Sequence, residues 1–369
     1  MWPGRPHKLG MRGRHTRQTE LISLLDAEAL IAPEHPIRRI KRLVDEILTE
    51  MNPTFEAMYA ESGRASIPPE RLLKAKVMQA LYSIRSDRQL CERIRFDVLF
   101  RWFLDLNLDE PVFDPSTFSH NQERLLEHDV AVIFFNKVYA IARRNHWASD
   151  DHFSADGTLI NAWGSMKSFK PRDGSGDDSD LNGFADFKGT KRSNATHRSV
   201  TDPESRLLRK SKGDVSRLCY AAHAVSENRN RLCAIVRVTT AVGLSESEAA
   251  LENVRLLRRR DIHPKTVGAD AGYHTDTFVD GLRTLDITPH PALHGRRGDM
   301  GVKRTQAYEA SQVARKRIEP CFGWGKHIGG MRRLRQIGVK TANAIANLTF
   351  AVGNLVRIVG LEVAHRTRA

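Results

Sequence analysis

The sequence predicts an α+β protein in which a helical N-terminal part precedes a mixed-sheet domain. Three observations lead to this prediction. Apolar residues recur at helical spacing over residues 36–145, the period changes to two near Asp151, and strands then alternate with helices towards the C-terminus. With 369 residues, the chain is long enough for two or three domains that each bury a core.

The charge balance of the chain is strongly basic. There are 58 Lys and Arg residues against 44 Asp and Glu, which gives a formal net charge of +14. Most of this surplus must lie on the surface, and it indicates a polyanionic partner, although charge alone does not separate DNA from RNA or an anionic membrane. Hydrophobic residues make up 40% of the chain, which excludes a wholly disordered or fibrous protein.

Several protein classes are excluded by what the sequence contains. The four cysteines are scattered without a CxxC pair, which argues against a zinc framework and favours a reducing compartment. The first twenty residues are basic and lack the apolar core of a secretory signal. Asn343, Asn347, Asn354 and Arg357 interrupt the apolar stretch 341–361, so we expect a buried amphipathic helix and not a membrane span. A cytoplasmic protein is therefore expected.

The N-terminal part is expected to hold a basic flexible arm, residues 1–20, and a helical DNA-binding domain, residues 21–148. Helical periodicity begins at Ile37, and Ser86 with Gln89 three residues later has the pattern of a helix cap.

Arginines accompany these short helices. Arg85 and Arg88 are our candidates for DNA contact, because short helices joined by tight turns are typical of helix-turn-helix-like DNA readers. The alternative is a helical bundle whose arginines are merely solvated.

The second part, residues 151–361, has the element order of a ribonuclease-H-like catalytic domain. Residues 153–160 alternate as a strand does, and the Gly-, Ser- and charge-rich segment 164–217 is expected to be a mobile insertion. The elements expected after it are strands at 220–225, 232–242, 266–269 and 287–293, and helices at 245–260, 275–285, up to 319, and 341–361. Three hairpin-connected strands followed by alternating helices and strands describe a mixed sheet covered by helices.

Three carboxylates lie on elements that this order is expected to place next to one another. Asp156 lies in the first strand, Asp270 ends the fourth, and Glu319 lies on a late helix. Each alone is more often a surface or turn residue, but together they form a set of hard oxygen ligands that suits Mg²⁺ or Mn²⁺. Two such ions would activate a water or 3′-hydroxyl at a phosphodiester.

Longer motifs surround these carboxylates. The N-terminal part contains Ser66–Lys74 and Ala80–Ser86, and the later blocks are Ala155–Ile160, Ala269–Tyr273, and Arg315, Glu319 and Lys326 in the pattern Arg-x3-Glu-x6-Lys. In these motifs the sequence resembles the DDE transposases of bacterial insertion sequences, specifically the insertion-sequence-five group with its helical N-terminal transposase domain. The resemblance covers nearly the whole chain.

The resemblance implies an activity and its partners. It implies a transposase that binds the terminal inverted repeats of its insertion sequence and catalyses DNA cleavage and strand transfer. Asp156, Asp270 and Glu319 would hold two Mg²⁺ or Mn²⁺ ions, and Arg315 and Lys326 would contact the DNA backbone. The partners would be element ends and target DNA, bound by a homo-oligomer that associates with the bacterial nucleoid and not with a membrane.

Two departures from the family pattern keep alternatives open. Gln312 stands where the signature has Tyr, and Pro320 directly follows Glu319, so a kink is expected there. The alternatives are a ribonuclease-H-like nuclease without strand transfer and an inactive relative that only binds DNA. Trp324 is expected to serve in packing, with stacking on a flipped base as its alternative role.

Overall fold

The computed structural model describes residues 26–58, 66–173, 192–209, 213–295 and 298–366. Within these residues the protein is a mixture of helix and sheet, as the sequence predicts. The expected basic arm, residues 1–20, lies outside the described residues.

The N-terminal region is helical, and several of its helices begin at residues suited to a first turn. Pro36, Pro69 and Pro115 occupy first turns, where their missing N–H costs nothing. The Ser86 side chain accepts a hydrogen bond from the Gln89 N–H, as the sequence predicts. The helices are α1 (Ala27–Leu30), α2 (Pro36–Glu50), α3 (Asn52–Glu56), α4 (Pro69–Leu81), α5 (Asp87–Phe96), α6 (Val98–Phe103), α7 (Pro115–Glu127) and α8 (Val130–Arg144).

The remainder of the described chain is built around one mixed sheet. The strands are β1 (His152–Asn161), β2 (Phe169–Pro171), β3 (His197–Ser199), β4 (Arg206–Leu208), β5 (Arg217–Glu227), β6 (Leu232–Thr240), β7 (Thr266–Ala269) and β8 (Thr288–Pro291). The helices are α9 (Glu246–Arg259), α10 (Asp276–Arg283), α11 (Gln306–Ala314), α12 (Glu319–His327) and α13 (Val339–Arg366).

Strand β1 lies in the middle of this sheet. It pairs antiparallel with β5 on one side and parallel with β7 on the other, and β8 continues the sheet parallel to β7. Strand β5 also pairs with β6 through the predicted hairpin and with the short β4. The first and fourth strands that the sequence predicts are therefore neighbours.

The described ends of segment 164–217 are structured, whereas its composition predicted a mobile insertion throughout. Strand β2 pairs with β3, and β4 pairs with β5 in the main sheet. Asp202 is buried and accepts a 2.5 Å hydrogen bond from the Tyr220 hydroxyl. Short polar side chains supply hydrogen bonds here in place of apolar burial, which composition does not reveal. Residues 174–191 and 210–212 lie outside the described residues.

The single helix expected before and through Glu319 is divided into three pieces. Helix α11 ends at Ala314, a 3-10 helix spans Arg315–Ile318, and α12 begins at Glu319. Pro320 lies in the first turn of α12, where it lacks the N–H that would continue the preceding helix. The expected kink is thus a change of helix type.

Helix α13 joins the two regions into one body. It packs against α8, α2 and α4 on the N-terminal side and against β6 of the sheet. It is the one described helix long and apolar enough to cross a membrane, but more than half of its apolar stretch is buried inside the protein. Apart from a small separate cluster of Val279, Val302 and Tyr308, the buried apolar residues of both regions form one continuous cluster, so the two expected domains share a core.

Three asparagines on one face of α13 bind the outer edge of β6. Asn343 accepts from the Val238 N–H (3.0 Å), and Asn347 donates to the Val236 carbonyl (3.4 Å). Asn354 accepts from the Cys233 N–H (2.9 Å) and donates to its carbonyl (2.8 Å). These side chains satisfy an edge strand that would otherwise expose its backbone groups.

We expect Asn354→Ala to lower the free energy of unfolding by about 2 to 4 kcal/mol, because it leaves a buried N–H and a buried carbonyl of β6 without partners. Thermal and urea unfolding of the full chain would measure the loss. Val356→Ala is the matched control, since Val356 lies on the same helix and is 40% exposed; it should change stability by less than about 0.5 kcal/mol. Equal stability of the two variants would contradict the role of Asn354.

Candidate active site

The parallel pairing of β1 and β7 brings Asp156 and Asp270 together. The pairing runs to Ser154 opposite Gly268, and continuing this register by two residues places Asp156 opposite Asp270. Neighbouring strands lie about 4.8 Å apart. Asp270 follows the last residue of β7, where its side chain accepts a 2.8 Å hydrogen bond from the Gly272 N–H.

The pKa of Asp156 is shifted by burial and by neighbouring carboxylates. Its side chain is half-buried, and burial raises its pKa to about 6, with Asp270, Glu246 and Glu319 adding to the increase. A 2.8 Å hydrogen bond from the Gly157 N–H acts in the opposite direction. The three carboxylates predicted from the sequence therefore lie within one electrostatic neighbourhood.

Glu319 enters this neighbourhood from a later part of the chain. The 3-10 helix that precedes it packs on β1, with Ile318 buried and the Arg317 guanidinium donating to the Asn228 carbonyl (2.9 Å). Glu319 itself is exposed at the start of α12. The change of helix type thus orients an exposed carboxylate beside the sheet.

Glu246 is a fourth carboxylate that sequence reasoning missed. It is the first residue of α9, after the Ser245 cap. A Cβ added at Gly157 would lie 3.2 Å from Glu246 Oε1 and 3.4 Å from the Tyr273 hydroxyl oxygen. The glycine directly after Asp156 is the one sequence signal for this close approach, and it does not reveal which helix approaches.

Tyr273 places a buried phenol beside the carboxylates. Burial raises its pKa well above the usual value, and Glu246, Asp156 and Asp270 raise it further. Within the described part of the chain, its hydroxyl has no hydrogen-bond partner. The phenol therefore stays protonated and has a proton to donate in a cluster of acceptors.

Lys326 and Arg315 occupy different positions relative to this cluster. The Lys326 ammonium donates to the Thr158 hydroxyl (2.5 Å), and Thr158 is on the same face of β1 as Asp156 because strands alternate with a period of two. Arg315 is half-buried and donates to Gln312 Oε1 (3.0 Å). Lys326 is thus held at the candidate site, whereas the structure places Arg315 against Gln312.

Gln312 links helix α11 to the sheet. Its amide donates to the His290 carbonyl of β8 (2.8 Å) while its oxygen accepts from Arg315. Gln312, which replaces the Tyr in the signature of the transposases that the sequence resembles, therefore holds the segment leading to Glu319 against the sheet.

His152 connects β1 to helix α11 by hydrogen bonding. His152 Nε2 is 2.6 Å from the Ser311 hydroxyl of α11, and His152 Nδ1 is hydrogen-bonded to the Asn228 amide. Burial lowers the pKa of His152 to about 4, with His290 and Arg317 contributing, so the imidazole is neutral at physiological pH. This link joins β1 to the helix that precedes Glu319.

The two predicted DNA-binding arginines of the N-terminal region are both exposed, but only one of them lines a cleft that Lys326 also lines. Arg85 lines a cleft of about 610 Å³ between the N-terminal helices and α13, and Lys326 lines the same cleft. Arg88 lies on α5 outside this cleft. The structure therefore places Arg85, and not Arg88, in the same cleft as Lys326.

The carboxylates fit a divalent cation by their chemistry and charge. All the candidate donors are oxygens, and a cation would offset both the burial and the carboxylate repulsion that raise the pKa of Asp156. With their present side-chain positions, no three His, Cys, Asp or Glu residues in the described ranges converge on one metal-sized point. Asp156, Asp270 and Glu319 would hold the cation, with Glu246 beside them.

A family model matches the N-terminal region. Residues 25–124 match the model described as "Transposase domain (DUF772)", which spans about a quarter of the chain and includes Arg85 and Arg88. This match supports a transposase. No curated protein matches the chain.

The solved structures that resemble the chain are transposases at low similarity. A piggyBac transposase synaptic complex with hairpin DNA is 9% identical over 89% of this chain and 76% of that chain, with a TM-score of 0.40. A Mos1 strand transfer complex is 10% identical over 83% and 81%, with a TM-score of 0.26. A Mos1 mariner paired end complex with Mn is 11% identical over 92% and 90%, with a TM-score of 0.20. TM-scores below 0.5 do not establish a common fold.

We expect Asp156→Asn to raise the melting temperature in EDTA at pH 8, because it removes a half-buried charge from among other carboxylates. A raised pKa means that the ionised carboxylate destabilises the folded state, and this cost develops as the pH rises from about 4 through 6. The gain should therefore vanish near pH 4. Adding Mg²⁺ should stabilise the wild type more than the variant.

Asp109→Asn is the control for this measurement, because Asp109 is exposed and distant from the cluster in sequence. It should melt like the wild type in EDTA and gain the same stability from Mg²⁺. If Asp156→Asn also behaved like the wild type in both buffers, the carboxylate cluster would not be a cation site.

Proposed function

We propose that this chain is a DNA transposase that binds the terminal inverted repeats of its own element and catalyses DNA cleavage and strand transfer with two divalent ions. The observation that carries this proposal is the pairing of β1 with β7, which sets Asp156 opposite Asp270. The transposase-domain match at residues 25–124 supports the same class of protein.

The sheet topology supports a ribonuclease-H-like catalytic domain. Five strands of the main sheet follow the spatial order β6–β5–β1–β7–β8, in which neighbours among the first three are antiparallel and β7 and β8 are parallel to β1. From the sequence we predicted the order of these elements along the chain and the neighbouring positions of the first and fourth strands. The spatial order places the carboxyl end of β7 beside the middle of β1, where Asp156 lies.

The residues of the chain have distinct roles in this proposal. Asp156, Asp270 and Glu319 bind the ions, which we expect to be Mg²⁺ or Mn²⁺ because all three ligands are carboxylates. When bound, such ions activate a water or 3′-hydroxyl and stabilise the leaving oxygen.

Lys326 holds a positive charge beside Thr158, where a scissile phosphate would need one. The protonated Tyr273 keeps a hydroxyl donor among the carboxylate oxygens.

The proposed partner is double-stranded DNA, both element ends and target, bound in the cytoplasm by a homo-oligomer. The net charge of +14 supports a polyanion, and Arg85 and Lys326 share one cleft although 241 residues separate them in sequence.

One observation favours a second candidate, an inactive relative that binds DNA without cutting it. The described carboxylates do not converge on a single metal-sized point. A ribonuclease-H-like nuclease that hydrolyses DNA without joining it is a third outcome. The following assay separates the three.

We expect Asp156→Ala, Asp270→Ala and Glu319→Ala each to reduce strand cleavage by ~100-fold or more, because each removes a ligand of the same ions. Pairs of these substitutions should cost little more than one, since the three residues act as a unit. The substrate is a labelled duplex carrying the inverted repeats that bracket the gene, mixed with a target plasmid in Mg²⁺ or EDTA.

Glu309→Ala is the matched control, because Glu309 is an exposed glutamate on the preceding helix α11. Cleavage together with joined product identifies a transposase, and cleavage without joining identifies a nuclease. Full activity of any of the three alanine variants, or undiminished activity in EDTA, would refute the site. Specific binding without cleavage in the wild type would identify the inactive relative.

We expect Arg85→Ala to weaken binding of element-end duplex and to reduce the slope of log K against log salt by about 0.9, the value for one lost phosphate contact. Fluorescence anisotropy across a salt series would measure both quantities. Arg42→Ala is the control, since Arg42 is 59% exposed on α2, does not line the cleft, and should leave the slope unchanged. An unchanged slope for Arg85→Ala would remove this residue from the DNA interface.

A further inference from the structure

The cleft that Arg85 and Lys326 share lies where the N-terminal helices meet the sheet domain. Helices α4 and α7 line one side, α13 lines the base, and the chain that follows α12 lines the other side. The Ser83 hydroxyl donates to the Ile328 carbonyl (2.8 Å) and ties the two sides together. The cleft therefore belongs to the folded body, and Lys326, which donates to Thr158 of β1, connects it to the candidate active site.

The cleft combines an apolar base with a basic rim. Leu125, Ile345 and Leu348 contribute apolar side chains to its lining. On the rim, Arg332, Arg333 and Arg335 are exposed, and none of them forms an ion pair with a carboxylate of the described residues. Such a surface suits a ligand that carries both phosphates and flat apolar faces.

Trp163 supplies an aromatic platform at this rim. It lies just beyond the end of β1, and 42% of its surface is exposed. The Arg333 guanidinium lies 5.7 Å from the centre of the indole ring and donates to the Trp163 carbonyl (3.3 Å). The exposed indole and the guanidinium beside it offer a flat surface, and nucleobases stack on both aromatic rings and guanidinium groups.

The backbone holds this platform in place. The Leu334 N–H donates to the Asn161 carbonyl (2.9 Å), and Asn161 forms a parallel bridge with Arg333. The chain after α12 thus attaches to the end of β1. By contrast, Trp324, which the sequence offered as an alternative stacking residue, packs against α13, where a Cβ added at Gly353 would approach it to 3.2 Å.

The platform lies just beyond the end of the strand that carries Asp156. Five residues separate Asp156 from Asn161, which is about 16 Å along a strand. That length corresponds to about five steps of a stacked nucleic acid strand at 3.4 Å each. Lys326, bound to Thr158, lies between the two ends.

We propose that this cleft binds an unpaired DNA strand that leads away from the cleavage site, with one base stacked on Trp163 and Arg333. The inference rests on the proposed function for the identity of the cut strand. The base must be unpaired because both faces of a base within a duplex are already covered by its neighbours. The arginines of the rim bind the phosphates of the same strand.

The test is binding of a fluorescent twelve-residue oligothymidylate to the full chain in EDTA, with an unrelated duplex of equal length as the second probe. Trp163→Ala should weaken binding of the single strand by about 5- to 100-fold and leave duplex binding within about twofold. Trp163→Phe should retain most of the affinity because it keeps an aromatic face. Phe96→Ala is the control, since Phe96 is 75% exposed outside this cleft.

A second measurement needs no substitution. Irradiating the wild-type protein with an oligonucleotide that contains 5-iododeoxyuridine should cross-link the peptide that holds Trp163. Cross-links only to peptides outside the cleft, or an unchanged single-strand affinity in a folded Trp163→Ala protein, would overturn the inference.

The outcomes also separate this inference from the proposed function. If the wild type fails to cut or join DNA but binds the single strand through Trp163, the proposed activity fails and the binding site stands. If cutting and joining proceed while single-strand affinity is independent of Trp163, the binding site fails and the activity stands.

Discussion

The hydrogen bonds between α13 and the edge of β6 are the interaction on which the rest of the molecule depends. Asn343, Asn347 and Asn354 meet backbone groups of one strand, and the same helix packs on α2, α4 and α8. The helix therefore fixes the N-terminal region relative to the sheet. Without that fixed relation, Arg85 and Lys326 would not line one cleft.

The candidate site depends on two glycines, whose lack of a side chain leaves space beside the strands. Gly157 leaves room for Glu246 and Tyr273 directly beside β1, and Gly268 leaves room for the Ser311 hydroxyl, which would lie 2.9 Å from a Cβ added there. These two close approaches let α9 and α11 bring side chains to the same strand pair. The strand order brings Asp156 and Asp270 near each other, and the two glycines in adjacent strands let helices α9 and α11 approach the same strands.

Much of the fold could be predicted from the sequence because its signals are local. The β5–β6 hairpin, β7, α9 and the Ser86 cap follow from alternation, apolar runs and capping residues. The neighbouring positions of β1 and β7 followed from the order of elements. Pro320 predicted an interruption of the helix near Glu319, but nothing in the sequence predicted that the segment before it would be a 3-10 helix.

The rest could not be predicted because it depends on contacts between residues distant in sequence. Glu246 begins a helix like any other capped glutamate, and nothing local indicates that it lies against Gly157. The exposure of Trp163 and the burial of Trp324 depend on where α13 and the chain after α12 lie. The shared core could not be predicted from composition either. Each half of the chain has enough apolar residues to suggest a separate core.

The position of α13 has a consequence for how the protein is made. A ribosome synthesises this helix after every other element that the structure describes, yet α2, α4, α8 and β6 all pack against it. Until it emerges, the apolar faces of those elements lack their partner and are open to association with other chains. The cleft lined by Arg85 and Lys326 is therefore completed only late in the synthesis of each chain.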